Sequence, residues 1–261
     1  MLNKIISHKL VEVEERKRIL PIEKILVNDL MERKCKNFAS ALIKEQGVSL
    51  IAEVKKASPS KGLIREDFDP VKIAKIFSQA GASAISVLTD QKFFLGHVEY
   101  LQKIRQITDL PLLRKEFIID QYQIYEAKAY GADAVLLIAA VLEQGKLTEY
   151  INLAENIGLQ TLVEVHTAEE LEMVLRTPAK IVGINNRNLK TFETDLNTTF
   201  KLKEMISDSQ VIVVSESGIK SREDVIRLEE DRIDAMLVGE TLMRSNDISS
   251  ALHSLYGRRS A

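Results

Sequence analysis

From about residue 48 onward, short runs of Val, Ile, Leu and Ala alternate with stretches whose apolar residues recur every three or four positions. The runs predict strands: VSLIAEVK (48–55), SAISVL (83–88), PLLRK (111–115), DAVLLI (133–138), QTLVEV (160–165), KIVGIN (180–185), QVIVVS (210–215) and DAMLVG (234–239). They show little polar alternation, as strands buried on both faces of a parallel sheet do. Between them, PVKIAKIFSQAG (70–81), QIYEAKAYGA (123–132), LTEYINLAENIG (147–158), SREDVIRLEED (221–231) and DISSALHSLYG (247–257) predict helices. In the first of these, Val71, Ala74, Ile76 and Phe77 mark one apolar face. Asp69 before Pro70 reads as an N-cap, and Gly81, Gly131 and Gly158 stand where helices end.

Eight βα units of this length predict an α/β fold, a (β/α)8 TIM barrel over residues 48–261. An open doubly wound sheet is the rival, but VSLIAEVKKASPSKG lacks the GxGxxG fingerprint such a sheet usually carries. Residues 1–47 predict an N-terminal helical extension of one or two charged amphipathic helices, interrupted near Leu20-Pro21, within a single domain overall. Its spacing is compatible with a plug on the barrel floor and with a cover over the active face.

Composition narrows the classes. At 45% hydrophobic residues the chain can fill a large core, which excludes dominant disorder. The 36 Lys+Arg nearly cancel the 38 Asp+Glu, so broad electrostatic capture of nucleic acid or membrane is not expected. The single cysteine, Cys35, excludes an internal disulfide framework and fits a reducing, cytoplasmic setting. No apolar run is long enough for a membrane span, and MLNKIISHKLVEVEERK has no signal-peptide core.

The candidate chemistry lies where the strands end, because C-terminal strand ends share one mouth in a parallel barrel. With Ile51 inward, Glu53 and Lys55 project into that mouth. The third strand ends in Lys115, the fifth in Glu164, the sixth in Asn185, and the seventh brings Ser215 and Ser217. A lysine lowered by burial or by a second lysine can donate a proton near neutral pH, and a glutamate raised by burial can accept one. SESGIKS (215–221) and VGETLMR (238–244) place glycine turns after the last two strands, where barrels hold phosphate. KKASPSKGLIRED (55–67) and NNRNLKTFETD (185–195) are polar loops at the same rim, and Arg187 in the second suits a carboxylate. His8, His97, His166 and His253 have no spacing that suggests a ligand set or a nucleophile pair, so they read as non-catalytic, and no metal is expected.

IAEVKKASPSKG (51–62), LTDQKFFLG (88–96), LPLLRKEFIID (110–120), LVEVHT (162–167), NNRNLKTFETD (185–195), VSESGIKSREDV (214–225) and VGETLMR (238–244) closely resemble the indole-3-glycerol phosphate synthase family, in barrel order. The resemblance implies a cofactor-free lyase of tryptophan biosynthesis. It closes the ring of 1-(2-carboxyphenylamino)-1-deoxyribulose 5-phosphate, decarboxylates it and dehydrates it. Carried over by residue, Lys115 resembles the general acid at the ribulose carbonyl oxygen. Lys55 resembles the lysine that contacts the substrate carboxylate and serves as a second acid. Glu164 matches the glutamate that stabilises positive charge on the anilino nitrogen or acts in proton transfer, and Glu53 the one implicated in dehydration. Asn185 and Ser217 match groups that hold the substrate, and Arg187 an arginine near its carboxylate. Glu216 falls among the substrate-binding positions. Ser58, Gly218, Gly239 and Glu240 fall in the phosphate loops.

Phe93, Phe94, Phe117 and Leu189 are candidates for an apolar wall against the aromatic ring. Glu116, Leu95 and His97 depart from the usual family pattern, which puts loop geometry and ring-pocket shape in question. The chain ends soon after its eighth helix, so no fused second barrel is expected. A phosphorylated small molecule is the expected partner, with a monomer preferred to a homodimer and weak contact with other tryptophan-pathway enzymes as a further expectation. A Schiff-base aldolase and a non-catalytic metabolite-binding barrel are the competing readings of the same lysines and glycine turns.

Overall fold

The computed structural model describes residues 1–188 and 191–257. Among these residues eight strands close into a parallel barrel: β1 (Ser49–Val54), β2 (Ala84–Leu88), β3 (Leu112–Lys115), β4 (Ala134–Ile138), β5 (Gln160–Val165), β6 (Ile181–Asn185), β7 (Ile212–Glu216) and β8 (Ala235–Val238). Each pairs with the next, and β8 returns to β1 with Ser49 opposite Ala235. This is the TIM barrel that the repeating βα pattern predicts, with strand bounds shifted by a residue or two.

Two apolar layers explain the uninterrupted strand composition. On β1, Leu50, Ala52 and Val54 pack outward with the surrounding helices, whereas Ile51 joins Ala84, Leu113, Ala134, Leu162, Ile181, Ile212 and Ala235 inside the barrel. Both faces of every strand are thus taken out of water, the driving term for the closed sheet. The N-cap and C-cap signals are also met. Asp69 accepts from the backbone N–H groups of Val71 and Lys72 at 3.0 Å ahead of a helix over Pro70–Gln79. Gly81 and Gly131 take the left-handed conformation, with φ of +91° and +90°.

The extension serves both ends of the barrel. α1 (Leu2–Ile19) stops one residue before Leu20-Pro21, and α2 (Ile22–Leu26) begins just after it. α3 (Phe38–Leu42) inserts Phe38 and Leu42 beneath the barrel interior, where they join the Ile51–Leu113 cluster. Buried Asp133, just before β4, ties this end down by accepting from Arg33 (2.7 Å), the Lys36 N–H (2.8 Å) and Arg105 (2.8 Å). α1 runs instead to the opposite rim and buries Ile5, Lys9 and Val13 at a spacing of four. The floor plug and the rim cover are therefore different parts of one segment.

Several short helices carried no clear periodicity: Gln91–Phe94, Glu99–Arg105, Ala168–Val174, Asn197–Lys203 and Glu240–Met243. Seven residues or fewer are too few for an apolar stripe to repeat. No helix among the described residues is long and apolar enough to cross a membrane.

Candidate active site

Period-two alternation decides which strand residues reach the mouth. Ile51 leads to Glu53 and then Lys55, Leu113 to Lys115, and Leu162 to Glu164. Ile181 leads through Gly183 to Asn185, Ile212 and Val214 to Glu216, and Ala235 and Leu237 to Gly239. All of the polar ends open on one cavity of about 610 Å³ at the C-terminal face. Ser215 is a correction to the expected set. It lies one residue out of register, faces the helix behind β7, and bonds Thr199 Oγ1 at 2.7 Å and Asn186 Nδ2 at 3.0 Å.

The charged groups pair across strands. Lys115 Nζ lies 3.0 Å from Glu164 Oε2 and also binds Glu216. Lys55 pairs with Glu53, and the Asn185 amide adds a hydrogen bond to Glu164. Burial pulls Lys115 down, but the charges of Glu164, Glu216 and Glu53 outweigh it, so this ammonium titrates well above its ordinary value. That is opposite to the depression expected from burial and a second lysine. The reason is geometric: three carboxylates reach Lys115, while the charge of Lys55 is offset by Glu53.

Burial pushes Glu164 up, yet Lys115 and His166 more than reverse this and hold it below its ordinary value. Glu216 goes the other way. Burial and the charges of Glu164 and Glu53 raise it despite Lys115. Of Glu164 and Glu216, the carboxyl that keeps a proton more readily is therefore Glu216, which was not among the glutamates expected in acid–base roles.

One wall of the cavity is apolar. Phe94 and Phe117 face it with ring centroids 6.0 Å apart, beside Leu88, Leu136 and Ile138. Met1, ahead of α1, and Leu2 and Ile5 within it also line the cavity. Phe93 does not line the cavity but packs edge-on against His8, 5.8 Å away. Leu189 lies outside the described residues. The three departures from the family pattern have local accounts. Leu95 takes a left-handed φ of 53° with its side chain outward, and His97 packs at a tilt against Tyr100, with ring centroids 5.9 Å apart. Glu116 accepts from Thr89 Oγ1 at 2.8 Å and pairs with buried Lys9 at 3.0 Å.

The other wall is built from loops. Ser217 and Gly218 have φ of 67° and 83°, two consecutive left-handed residues that form a backbone concavity suited to an anion. Ser58, Gly239 and Glu240 line the same end, with Lys61, Lys220 and Arg244. Arg187 reaches it too, 3.4 Å from Glu240 Oε2, and donates to the Phe192 carbonyl at 3.2 Å. Ala57–Ser58 pairs with Gly62–Leu63 in a small hairpin, and Arg65 ties that loop down by donating to the carbonyls of Met243 (3.2 Å) and Ser245 (2.9 Å).

Two glycines make room for the carboxylates. A Cβ at Gly239 would overlap Glu53 Oε1, and one at Gly183 would overlap Glu216 Oε1. Gly183 was missed as a functional position, although counting inward from Ile181 by twos reaches it. Lys9 was missed because one lysine on a charged helix carries no signal of burial.

Fold and site together define a (β/α)8-barrel enzyme with paired lysines and glutamates at the C-terminal strand ends. The family model for indole-3-glycerol phosphate synthase matches residues 2–255. An indole-3-glycerol phosphate synthase of Alkaliphilus metalliredigens is 51% identical over 257 residues, 98% of this chain and 97% of that protein. One from Dehalococcoides mccartyi is 49% identical, covering 98% and 99%. The chain belongs to the indole-3-glycerol phosphate synthase family, carboxy-lyases of tryptophan biosynthesis.

Among solved structures, a chain of the tryptophan synthase complex of Pyrococcus furiosus superposes with a TM-score of 0.60 at 16% identity, over 81% of this chain and 99% of that one. Thiamine phosphate pyrophosphorylase from P. furiosus gives 0.60 at 18% identity, over 80% and 94%. Those likenesses concern the fold alone.

Proposed function

We propose that the cavity converts 1-(2-carboxyphenylamino)-1-deoxyribulose 5-phosphate to indole-3-glycerol phosphate, carbon dioxide and water. The observation that carries this reading is the placement of Lys115 among Glu164, Glu216 and the Glu53–Lys55 pair, between an aromatic wall and an anion-binding rim. The aromatic carboxylate end of the substrate suits the Phe94–Phe117 wall, with its carboxylate drawn to Lys55. The phosphate suits the Ser217–Gly218 turn and the backbone around Gly239 and Glu240, with Ser58 at the edge. Arg187 sits nearer that loop end than the aromatic wall, so its guanidinium serves the polar tail as well as the substrate carboxylate.

Ring closure needs a proton or positive charge at the ribulose carbonyl oxygen as the ring carbon attacks. Lys115 takes that role. Its raised affinity for a proton is no obstacle, because the developing alkoxide is a stronger base than an amine. Glu164, held ionised beside it, stabilises positive charge on the anilino nitrogen until carbon dioxide leaves and the electrons return to the ring. Asn185 orients Glu164 and the substrate, and Ser217 and Glu216 hold the hydroxyls. Dehydration then removes the hydroxyl with a proton from Lys55, while Glu53 takes the ring proton. The Glu53–Lys55 pair places this acid and base side by side.

The reading extends to residues 1–47 and 48–261 working as one unit, supported by Met1, Leu2 and Ile5 in the cavity wall. It also extends to a cytoplasmic setting, supported by the single cysteine, and to a monomer in preference to a homodimer. The test is direct turnover. The chain has no tryptophan, so indole fluorescence grows only from product. Steady production from the anthranilate-derived ribulose phosphate is the expected result. No turnover, together with borohydride trapping of a keto-sugar phosphate on Lys55 or Lys115, would mark a Schiff-base enzyme instead.

A further inference from the structure

His166 lies two residues beyond Glu164, just past the end of β5, with a ring only 7% exposed. Its Nε2 is 3.3 Å from Glu164 Oε1, and its Nδ1 is 3.4 Å from Glu170 Oε2. Neither ring nitrogen makes a hydrogen bond of good geometry, so the imidazole sits between two carboxylates as a charge partner. Glu170 is itself held in place. It belongs to the first turn of the helix Ala168–Val174 and accepts the backbone N–H of His166 at 2.6 Å. Glu164 is consequently gripped at both oxygens, Oε2 by Lys115 and Oε1 by His166.

Charge balance gives the arrangement a purpose. Inside the mouth the carboxyl groups of Glu53, Glu164 and Glu216 outnumber the ammonium groups of Lys55 and Lys115, and this crowding is part of what raises the proton affinity of Glu216. The groups facing His166 are Glu164 of β5, Glu170 of the following helix and Glu216 of β7, with Lys115 of β3 behind Glu164. A third cation at this position offsets the excess negative charge that the buried cluster gains when Glu216 ionises, whose cost would otherwise fall on the carboxylates. Burial pulls the imidazole down, but Glu170, Glu164 and Glu216 outweigh it and move its titration above the ordinary value.

We propose that His166 is a proton-carrying positioning residue for Glu164. As imidazolium it holds the outer oxygen, leaving the edge beside Lys115 directed at the reacting nitrogen. When the proton leaves, that oxygen is released and Glu164 loses both its orientation and part of the charge that keeps it ionised. This rests on Glu164 being a working carboxylate, as read above.

The test combines a titration and a rate. The chain has four histidines, so the C2–H signal of His166 can be assigned by its disappearance in His166→Gln. The wild-type midpoint is expected above the ordinary histidine value of about 6.5. It should fall by about one pH unit or more in Glu170→Gln and again in Glu164→Gln, each of which removes one carboxylate partner.

In single turnover, the wild-type rate should fall through an alkaline limb at the same pH as the titration. That limb should move to lower pH in Glu170→Gln. It should vanish in His166→Gln, whose rate at neutral pH drops roughly tenfold. A midpoint that moves in neither carboxylate variant overturns the proposal. So does a His166→Gln enzyme with the wild-type rate and limb. The titration needs no substrate, so it reports on His166 even if the proposed reaction fails.

Discussion

Replacing Lys115 with methionine keeps most of the side-chain volume and deletes the one ammonium shared by Glu164 and Glu216. Both carboxylates are almost wholly buried, and among the described residues no other lysine pairs with the same oxygens. Removing one partner of a buried ion pair typically costs about 3–5 kcal/mol, because the remaining charge is left without compensation. For a chain of this size each kcal/mol lowers Tm by roughly 2–4 °C, so a fall of about 10 °C at neutral pH is expected.

The pH dependence should also change, because the contribution of Glu164 reverses and then adds to that of Glu216. In the wild type the depressed Glu164 contributes stability that is present above its unfolded value and lost as pH falls through its folded one, while the raised Glu216 contributes the opposite dependence, lost as pH rises through about 7. Without Lys115, burial and mutual repulsion raise both carboxyls. Their contribution is then present below the unfolded value and lost as pH rises through the folded ones. Urea unfolding of the two proteins from acid to neutral pH checks this. Turnover should drop at least about 10³-fold, since an acid and an electrostatic partner of the oxyanion are lost together. Parallel stability profiles, or activity within tenfold of wild type, would refute the charge-pairing account of the site.

Lys9→Met strands Asp90 and Glu116, both buried and each 3.0 Å from the ammonium. It should loosen α1, raise KM more than it lowers kcat, and speed proteolysis near the N-terminus. An unchanged KM would argue that the α1 wall does not contact substrate. Gly239→Ala forces a methyl against Glu53 Oε1 and should cost about 10²-fold in kcat, in line with losing one acid–base partner. Circular dichroism of that variant should match the wild type, and full activity would show that Glu53 can move without consequence. A substrate analogue lacking the phosphate should bind far more weakly, with little change in the rate once bound. Equal affinity by calorimetry would count against the Ser217–Gly218 turn as the anion site.

The amino-acid order determined a good deal by itself. Runs such as DAVLLI and KIVGIN, apolar on both faces and separated by helical spacing, leave few folds other than a closed parallel barrel. Alternation by twos from Ile51 placed Glu53, and strand ends placed Lys115, Glu164 and Asn185. These are local periodicities, and a period survives in one dimension. Tertiary structure alone decided which way charges shift, because titration depends on neighbours from other strands. Lys115 is surrounded by Glu164, Glu216 and Glu53, from positions 49, 101 and 62 residues away along the chain, so it rises where burial alone would lower it. The same holds for α1. Its pattern shows an apolar stripe, but only packing reveals that Lys9 is buried on carboxylates of two rim loops while Ile5 meets the cavity. Spacing records which side of an element is covered; what covers it, and with what charge, is set by residues distant in the chain and adjacent in space.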